Sequence, residues 1–320
     1  MSDTDLLISI VVPVRNRAGI VTRTLDSIAQ QSCREFRLIV VDNASTDTTA
    51  EVVNRWIAEH ADSGIEMQLL SESRPGASAA RNCGLAATTT PYVMFFDSDD
   101  EMLPDHLERI TDALRNRPDT ELLRWDVGVL DSDGWLHVRS PRFHNEQQLN
   151  LIHNSLSTQR YAVRTDLLRS AGAWNEHLST WDDIELGNRL LLSGITVRKL
   201  NGEPRVYIHL TAESITGESY TARVDNITRA LDTIERTLRD APEPDADLLN
   251  ILDARRAITA ALLRREGNRQ GAKAMMATAR NGHRRTDRMK LRLIYTVTRM
   301  AGRGGSAVAL AIFGKKAEKR

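Results

Sequence analysis

The chain has 320 residues, 41% hydrophobic and 27% charged, and its 43 Lys and Arg balance 43 Asp and Glu for a formal net charge of zero. The length suits one large domain or an ordinary one with an appendage, and the composition is that of a soluble globular protein. Balanced charge excludes an overall basic field of the kind that binds nucleic acid, and two cysteines, Cys33 and Cys83, exclude a disulfide framework or a cysteine-rich metal site.

Both cysteines read as small, partly buried residues of a reducing cytosol. The N-terminal MSDTD lacks the positive start and apolar core of a signal peptide. No run of about 18 apolar residues marks a membrane span, so a cytoplasmic protein is expected. Asn43-Ala44-Ser45 and Asn226-Ile227-Thr228 match the glycan-acceptor pattern by chance on this reading.

Strand and helix patterns alternate through the first hundred residues. Leu7–Val12 is a continuous, β-branched apolar run and predicts a strand buried on both faces. A helix carrying Leu25 and Ile28 follows, then a second buried strand, Phe36–Val41. The polar stretch Asp42–Thr49 can cap a helix that carries Val52, Val53, Trp56 and Ile57. Ile65–Leu70 and Tyr92–Phe96 predict two more strands, and Pro104 opens a helix with Leu107, Ile110 and Leu114. Such alternation predicts an α/β fold, a Rossmann-like and mostly parallel sheet covered on both faces, with ligands beyond the carboxyl ends of its strands. Three of those ends are polar: Pro13-Val14-Arg15-Asn16, Asp42-Asn43 and Asp97-Ser98-Asp99-Asp100. They should converge on one rim.

Further on, ELLRWDVGVL and WLHV flank Asp131-Ser132-Asp133-Gly134, a hairpin turn. A helix is expected from Asp182 to Leu192 and a last strand at Val206–Leu210. From about Tyr220 the periods are helical only: Val224–Arg239, Asp245–Arg265 beyond the Pro242-Glu243-Pro244 break, and Gln270–Ala279. Residues 267–279 look faintly like one helix of a tetratricopeptide hairpin, without a repeat period to support it. From His283 to Arg320 the chain holds eleven Lys and Arg against Asp287 and Glu318. Leu291, Leu293, Ile294, Val297 and Met300, with Val308–Phe313, make this tail amphipathic. It reads either as a solvated helix or as a peripheral contact with an anionic membrane surface, at the inner face of the membrane.

Asp97-Ser98-Asp99 sits directly after an apolar strand, and paired carboxylates on a tight turn suit a hard divalent cation that also takes phosphate oxygens. The pattern is common by itself. Together, however, ISIVVPVRN, VVDNASTD, RPGASAARNCGL and FFDSDD resemble the family 2 glycosyltransferases of the GT-A fold, in that family's order and spacing. WDDIELGNRLLLSG and YIHLTAESIT look like its acidic helix and its late His-containing segment, so the resemblance covers about residues 5 to 215.

The resemblance implies an inverting transferase using a nucleotide-sugar donor, a UDP-sugar in the first instance, Mn²⁺ or Mg²⁺, and a hydroxyl acceptor that is a glycan, lipid-linked or other. It places Pro13, Arg15, Asp42, Asn43, Gly76, Arg81, Asn82, Asp97, Ser98 and Asp182 at the donor. Asp97, Asp99 and His209 become metal ligands, with Asp100 extending the turn, and Asp183 the general base that deprotonates the acceptor. Asn43 stands where the family often has Asp; an amide still offers uracil an acceptor and a donor. Arg15 replaces a frequent aromatic, and a guanidinium can stack on a base as well. Each residue also has a plainer role open to it. Asp42 can cap a helix, Arg81 can clamp Asp97, Asp182 and Asp183 can cap the helix they start, Trp181 can be core and His209 can be structural. The expected organisation is a GT-A domain over 1–219, a helical region over 220–282 and a basic amphipathic tail over 283–320. Two other functions compete. A nucleotidyltransferase would need a Gly-rich basic loop after the first strand, where this chain has one Gly and no Lys. A catalytically degraded binding module fits poorly with Asp97, Asp99, Asp183 and His209 all present.

Overall fold

The computed structural model of the chain describes residues 6–130, 134, 136–139, 145–209, 219–302 and 304–314. Asp131, Ser132 and Asp133 of the expected hairpin turn, and Leu210–Thr216 of the late His-containing segment, lie outside the described residues, as do 315–320 of the tail.

In chain order the first elements are β1 (Ile8–Val14), α1 (Val21–Ala29), β2 (Phe36–Asp42), α2 (Thr49–Glu59), β3 (Glu66–Ser71), α3 (Ala77–Ala87) and β4 (Tyr92–Phe95). Next come β5 (Glu101–Met102), α4 (His106–Asn116), β6 (Leu122–Arg124), β7 (Val127–Leu130), β8 (Leu136–Arg139), α5 (Glu146–His153), β9 (Tyr161–Arg164) and α6 (Thr165–Ser170). The remainder are α7 (Asp182–Leu192), β10 (Val197–Lys199), β11 (Val206–His209), α8 (Val224–Arg239), α9 (Ala246–Arg265), α10 (Arg269–Arg280), α11 (Arg285–Ala301) and α12 (Gly305–Phe313).

The chain divides into two compact units. The first, residues 1–140, 156–179 and 193–212, holds among its described residues a seven-stranded sheet in the order β10-β6-β9-β4-β1-β2-β3 and a four-stranded sheet in the order β5-β11-β7-β8. In the large sheet β9 alone runs antiparallel to its neighbours, β4 and β6. The sheet is therefore mostly parallel, as expected. Ile8, Ile10, Val12, Leu38, Val40 and Met94 pack with Val21, Leu25 and Ile28 of α1 and with Val53 and Trp56 of α2 in one core. The apolar positions of those helices recur every three or four residues, which turns one stripe of each helix onto the strands.

ELLRWDVGVL is split between the two sheets. Leu122–Arg124 joins the large sheet and Val127–Leu130 the small one, where it pairs antiparallel with β8. The break falls at Trp125-Asp126. Trp125 turns inward, its Nε1–H donating to the Gln159 carbonyl at 2.8 Å and its ring meeting His106 edge to face. Total burial of that imidazole pushes its pKa down to about 3, so it is neutral at physiological pH.

The second unit, residues 141–155, 180–192 and 213–320, is helical and takes in α5 and α7. Its axis is α9, which is buried on several sides through Leu248, Ile251, Leu252, Ala254, Ala257, Ala260 and Leu263. Alanines along α9 leave room for close helix neighbours. Asp245 caps it by accepting from the Asp247 and Leu248 amides, directly after the Pro242-Glu243-Pro244 break. Two arginines of α9 are held by partners. Arg256 pairs with Asp232, Glu235 and Asp253, and Arg255 donates to the carbonyls of Leu151 and Ile152. The basic tail breaks into α11 and α12, with the left-handed Gly302 and Gly304 between them. Among the described residues no helix is long and apolar enough to cross a membrane.

Candidate active site

β1, β2 and β4 are parallel and adjacent, so their carboxyl ends meet on one rim. Val14 lies opposite Asp42 in register, and the Asn43 amide donates to the Val14 carbonyl at 2.8 Å. Asp42 does not cap α2. Thr48 holds the cap position and Asp47 accepts from the Thr49 amide at 3.0 Å, while Asp42 Oδ2 accepts only from the Ser45 amide, at 3.4 Å. Asp42 Oδ1 is buried without a hydrogen-bond partner among the described residues. A buried acceptor left open at a strand end is costly unless a donor arrives.

Asn43 is a strut. Its Nδ2 donates to the carbonyls of Glu72 and Arg74, at 3.2 and 2.7 Å, and its Oδ1 accepts from the Gly76 amide at 2.8 Å. Those bonds tie the end of β2 to the loop before α3. They also explain why an amide stands here, since a carboxylate would set oxygen against two carbonyl oxygens. Asn43→Asp is thus expected to lower stability by about 1–3 kcal/mol for each buried group left unsatisfied. An unchanged thermal melt would show that the strut carries no load.

Gly76 closes that loop with φ 129° and ψ 136°, and no atom lies within 4 Å of a built Cβ. The backbone angle, not crowding, calls for glycine. Asn82 in α3 clamps the turn ahead of α7: its Nδ2 donates to the Trp174 carbonyl and to Glu176 Oε1, both at 2.9 Å, and its Oδ1 accepts from the Trp174 amide. Arg15 is exposed just past the end of β1, and Pro13 is half-buried within it.

The acidic turn follows β4. Arg81, itself buried and lying 4.4 Å over the Trp174 ring, donates to Asp97 Oδ1 at 3.0 Å. Gln159 Nε2 bridges Asp97 Oδ2 and Asp100 Oδ2. Asp100 Oδ1 accepts the His209 amide at 3.0 Å. Ser98 is buried between them. Asp97 and Asp100 are therefore held on both oxygens. Asp99 differs: no side chain of another described residue donates to its carboxylate, although its carbonyl accepts from Arg23. Burial, and next the Asp97 charge, raise the Asp99 pKa; burial, then Asp97 and Asp99, raise that of Asp100 well above the ordinary carboxylate range.

Those shifts mark carboxylates withdrawn from water and set close to one another. His209 is brought to the turn by its backbone, but its buried Nε2 makes no hydrogen bond among the described residues and stands 3.5 Å from Glu101 Oε2. Among the described residues no three His, Cys, Asp or Glu side chains form a group that could hold a metal unaided. A cation carried on a diphosphate needs only one or two carboxylates besides phosphate oxygens and water. Asp99 fits that need with its free carboxylate.

The helical unit holds the other predicted residues. Trp181, at φ 59°, precedes α7, whose first residues are Asp182 and Asp183. Asp183 Oδ1 accepts from the Ile184 amide at 2.8 Å, and Oδ2 accepts from Asn154 Nδ2 at 2.6 Å. Asn154 is the left-handed cap residue of α5. The Arg255 guanidinium lies 4.3 Å over the Trp181 ring and feels the charge of Asp183. Both Asp183 oxygens thus accept a hydrogen bond, which fixes the direction of the carboxylate. Sequence reasoning missed Gln159, Trp174, Asn154 and Arg255, which have no motif of their own and act through partners far along the chain.

Comparison with known proteins bears on the family and the fold. The family model described as Glycosyl transferase family 2 matches residues 9–168. The amylovoran biosynthesis glycosyltransferase AmsB of Erwinia amylovora is 30% identical over 139 residues, which are 42% of this chain and 46% of AmsB, so the match spans about half of that relative. TuaG of Bacillus subtilis, a glycosyltransferase named for teichuronic acid biosynthesis, is 32% identical over 207 residues, 63% of this chain and 78% of TuaG. Among solved structures, S. aureus TarS 1–349 in complex with UDP-GlcNAc superposes with TM-score 0.69 at 17% identity, over 97% of this chain and 90% of that one. The mannosyltransferase PcManGT of Pyrobaculum calidifontis, in complex with GDP-Man and Mn²⁺, gives TM-score 0.61 at 20% identity, over 96% and 86%. At such identities the structures speak for the fold.

Proposed function

Because the chain belongs to glycosyl transferase family 2 and is a transferase enzyme of the GT-A fold, we propose that it inverts the anomeric centre of a nucleoside-diphosphate sugar, a UDP-sugar in our reading, while passing the sugar to a hydroxyl of a cell-surface glycan. The observation that carries this is the acidic turn, where among the described residues Asp97 and Asp100 accept hydrogen bonds on both oxygens and Asp99 keeps an open carboxylate. The open Asp42 Oδ1 supplies an acceptor for an N–H of the base. The fold neighbours' UDP-GlcNAc, GDP-Man and Mn²⁺ support the donor class and the cation. The names of AmsB and TuaG support an extracellular polysaccharide as the acceptor. The finer reading of its location is the cytoplasm, at the inner face of the membrane.

In this mechanism Asp183 accepts the proton of the acceptor hydroxyl as that oxygen bonds to the anomeric carbon. The bond from that carbon to the diphosphate oxygen breaks in the same displacement, and its electron pair leaves with the nucleotide. Asn154 and the Ile184 amide hold Asp183 in one orientation, so its basic lone pair stays aimed. Asp99, with Asp97, is the residue to hold a divalent cation, which when bound would neutralise charge growing on the leaving diphosphate. Arg81 holds Asp97 in place through Oδ1. Screening purified protein against UDP- and GDP-sugars, with nucleotide release read with and without Mn²⁺, tests the whole. Release from one donor class, with metal and acceptor, is expected. Binding without release would leave a sugar-nucleotide binding module, and release of pyrophosphate would mark a nucleotidyltransferase.

A further inference from the structure

Met289, Leu293 and Met300, with exposures of 61, 52 and 80%, are the large apolar side chains left exposed among the described residues, and all three belong to α11. The helix has a second, opposite apolar face. Leu291 and Ile294 are buried in the core of the helical unit, and so is Thr298 beside them. The amphipathic character of the tail is thus already spent inward by one set of residues, and a different set remains outside. At about 3.6 residues per turn, positions 289, 293 and 300 form one stripe along the helix.

Charge runs beside that stripe. α11 carries Arg285, Arg288, Lys290, Arg292 and Arg299 against a single acid, Asp287, which is taken by Lys290 at 2.8 Å. Arg285, Arg292 and Arg299 recur about every two turns and so flank the stripe in a row. None of Arg285, Arg288, Arg292 and Arg299 makes an ion pair among the described residues. The Arg280 guanidinium has its pKa lowered by burial and next by the charges of Arg292 and Arg288, so these cations crowd one another. An apolar stripe bordered by unpaired cations complements a surface whose interior is apolar and whose face is anionic. A second copy of the chain presenting the same face would set arginine against arginine.

We propose that the outer face of α11 is a docking surface for an anionic lipid bilayer, in which Met289, Leu293 and Met300 enter the acyl boundary while Arg285, Arg288, Arg292 and Arg299 meet the lipid phosphates. The inference deepens the location given above and needs nothing from the transfer chemistry, so the two fail separately. The test is vesicle co-sedimentation of the full chain with phosphatidylglycerol-containing and with purely phosphatidylcholine vesicles. Binding to the anionic vesicles alone is expected, weakening as salt is raised. Leu293→Asp with Met300→Asp, both exposed, should weaken it at least about tenfold while the thermal melt holds, because each puts a charge where the stripe enters the membrane. Arg285→Glu with Arg292→Glu should do the same. Nucleotide release in solution should be unchanged in either variant. Absence of binding to anionic vesicles, equal binding to neutral ones, or full binding by both variants overturns the proposal. So does a wild-type dimer in light scattering that Leu293→Asp dissociates, which would assign the face to a second copy.

Discussion

Asp183→Asn should lower turnover by about 10²- to 10⁴-fold, the range for a lost general base, with donor affinity nearly intact. The amide cannot accept the acceptor's proton, yet it can still accept the Ile184 amide hydrogen that Asp183 Oδ1 accepts now. The helix start should therefore persist, which separates chemistry from folding. Asn154→Ala is expected to act more weakly and in a different way. It removes the 2.6 Å donor that fixes Oδ2, so the carboxylate loses part of its alignment and turnover should fall by less than in Asp183→Asn. One base and one displacement also fix the stereochemistry: an α-linked nucleotide sugar gives a β-linked product, read by NMR. Retention of configuration, or a near-normal rate in Asp183→Asn, would remove Asp183 from the role and leave it as an anchor for α7.

Asp99→Asn should cost about 10²- to 10³-fold in turnover, as loss of an electrostatic stabiliser of the leaving group does, and should abolish the response to Mn²⁺. Chelator should do the same to the native protein. Stability supplies an independent reading. A cation at about a hundred times its Kd adds about 2.7 kcal/mol to the folded state, and Asp99→Asn should lose that increment. The pH dependence has a definite sign. Asp99 and Asp100 have raised values in the folded chain, so the native turn binds protons that the unfolded chain releases. Their contribution is whole below about pH 3.9, the unfolded carboxylate value, and is lost as pH rises through the raised values. In chelator, Asp99→Asn should thus gain thermal stability relative to the native protein between about pH 5 and 8, and Mn²⁺ should reverse the order. Parallel melting curves at every pH would sink this account.

Much of the first unit is legible in its sequence because burial on two faces writes continuous apolar runs, and β1, β2 and β4 lie where those runs are. Their polar ends meet on one rim, and α7 begins at Asp182, where an acidic pair meets a helical period. What stayed hidden has a common cause. β9 is four residues, too short for a period to register, and its antiparallel place between β4 and β6 depends on two partners elsewhere. Gln159 reads as a polar loop residue until the fold carries it to Asp97 and Asp100. Asn43 looks like a base-reading amide by position, and only the return of the 72–76 loop makes it a strut. In α11 a pattern of apolar residues on both sides cannot say which side the neighbours will cover.

The late arrival of β9 has a consequence for how the protein is made. As the chain leaves the ribosome, β1 to β4 can assemble early, but β4 then forms the open edge of a parallel sheet, with Tyr92, Val93, Met94 and Phe95 along it. The carboxylates just beyond that edge wait for Gln159, 62 residues after Asp97, and for the His209 amide, 109 residues after Asp100. At ordinary translation rates the gap before β9 appears lasts on the order of ten seconds. Nascent chains stalled before residue 156 should therefore expose a sticky strand edge beside carboxylates that still lack the Gln159 donor, and those in which β9 has emerged and paired should not. The same carboxylates that are suited to carrying a cation would keep such edges apart by repulsion while the chain is incomplete.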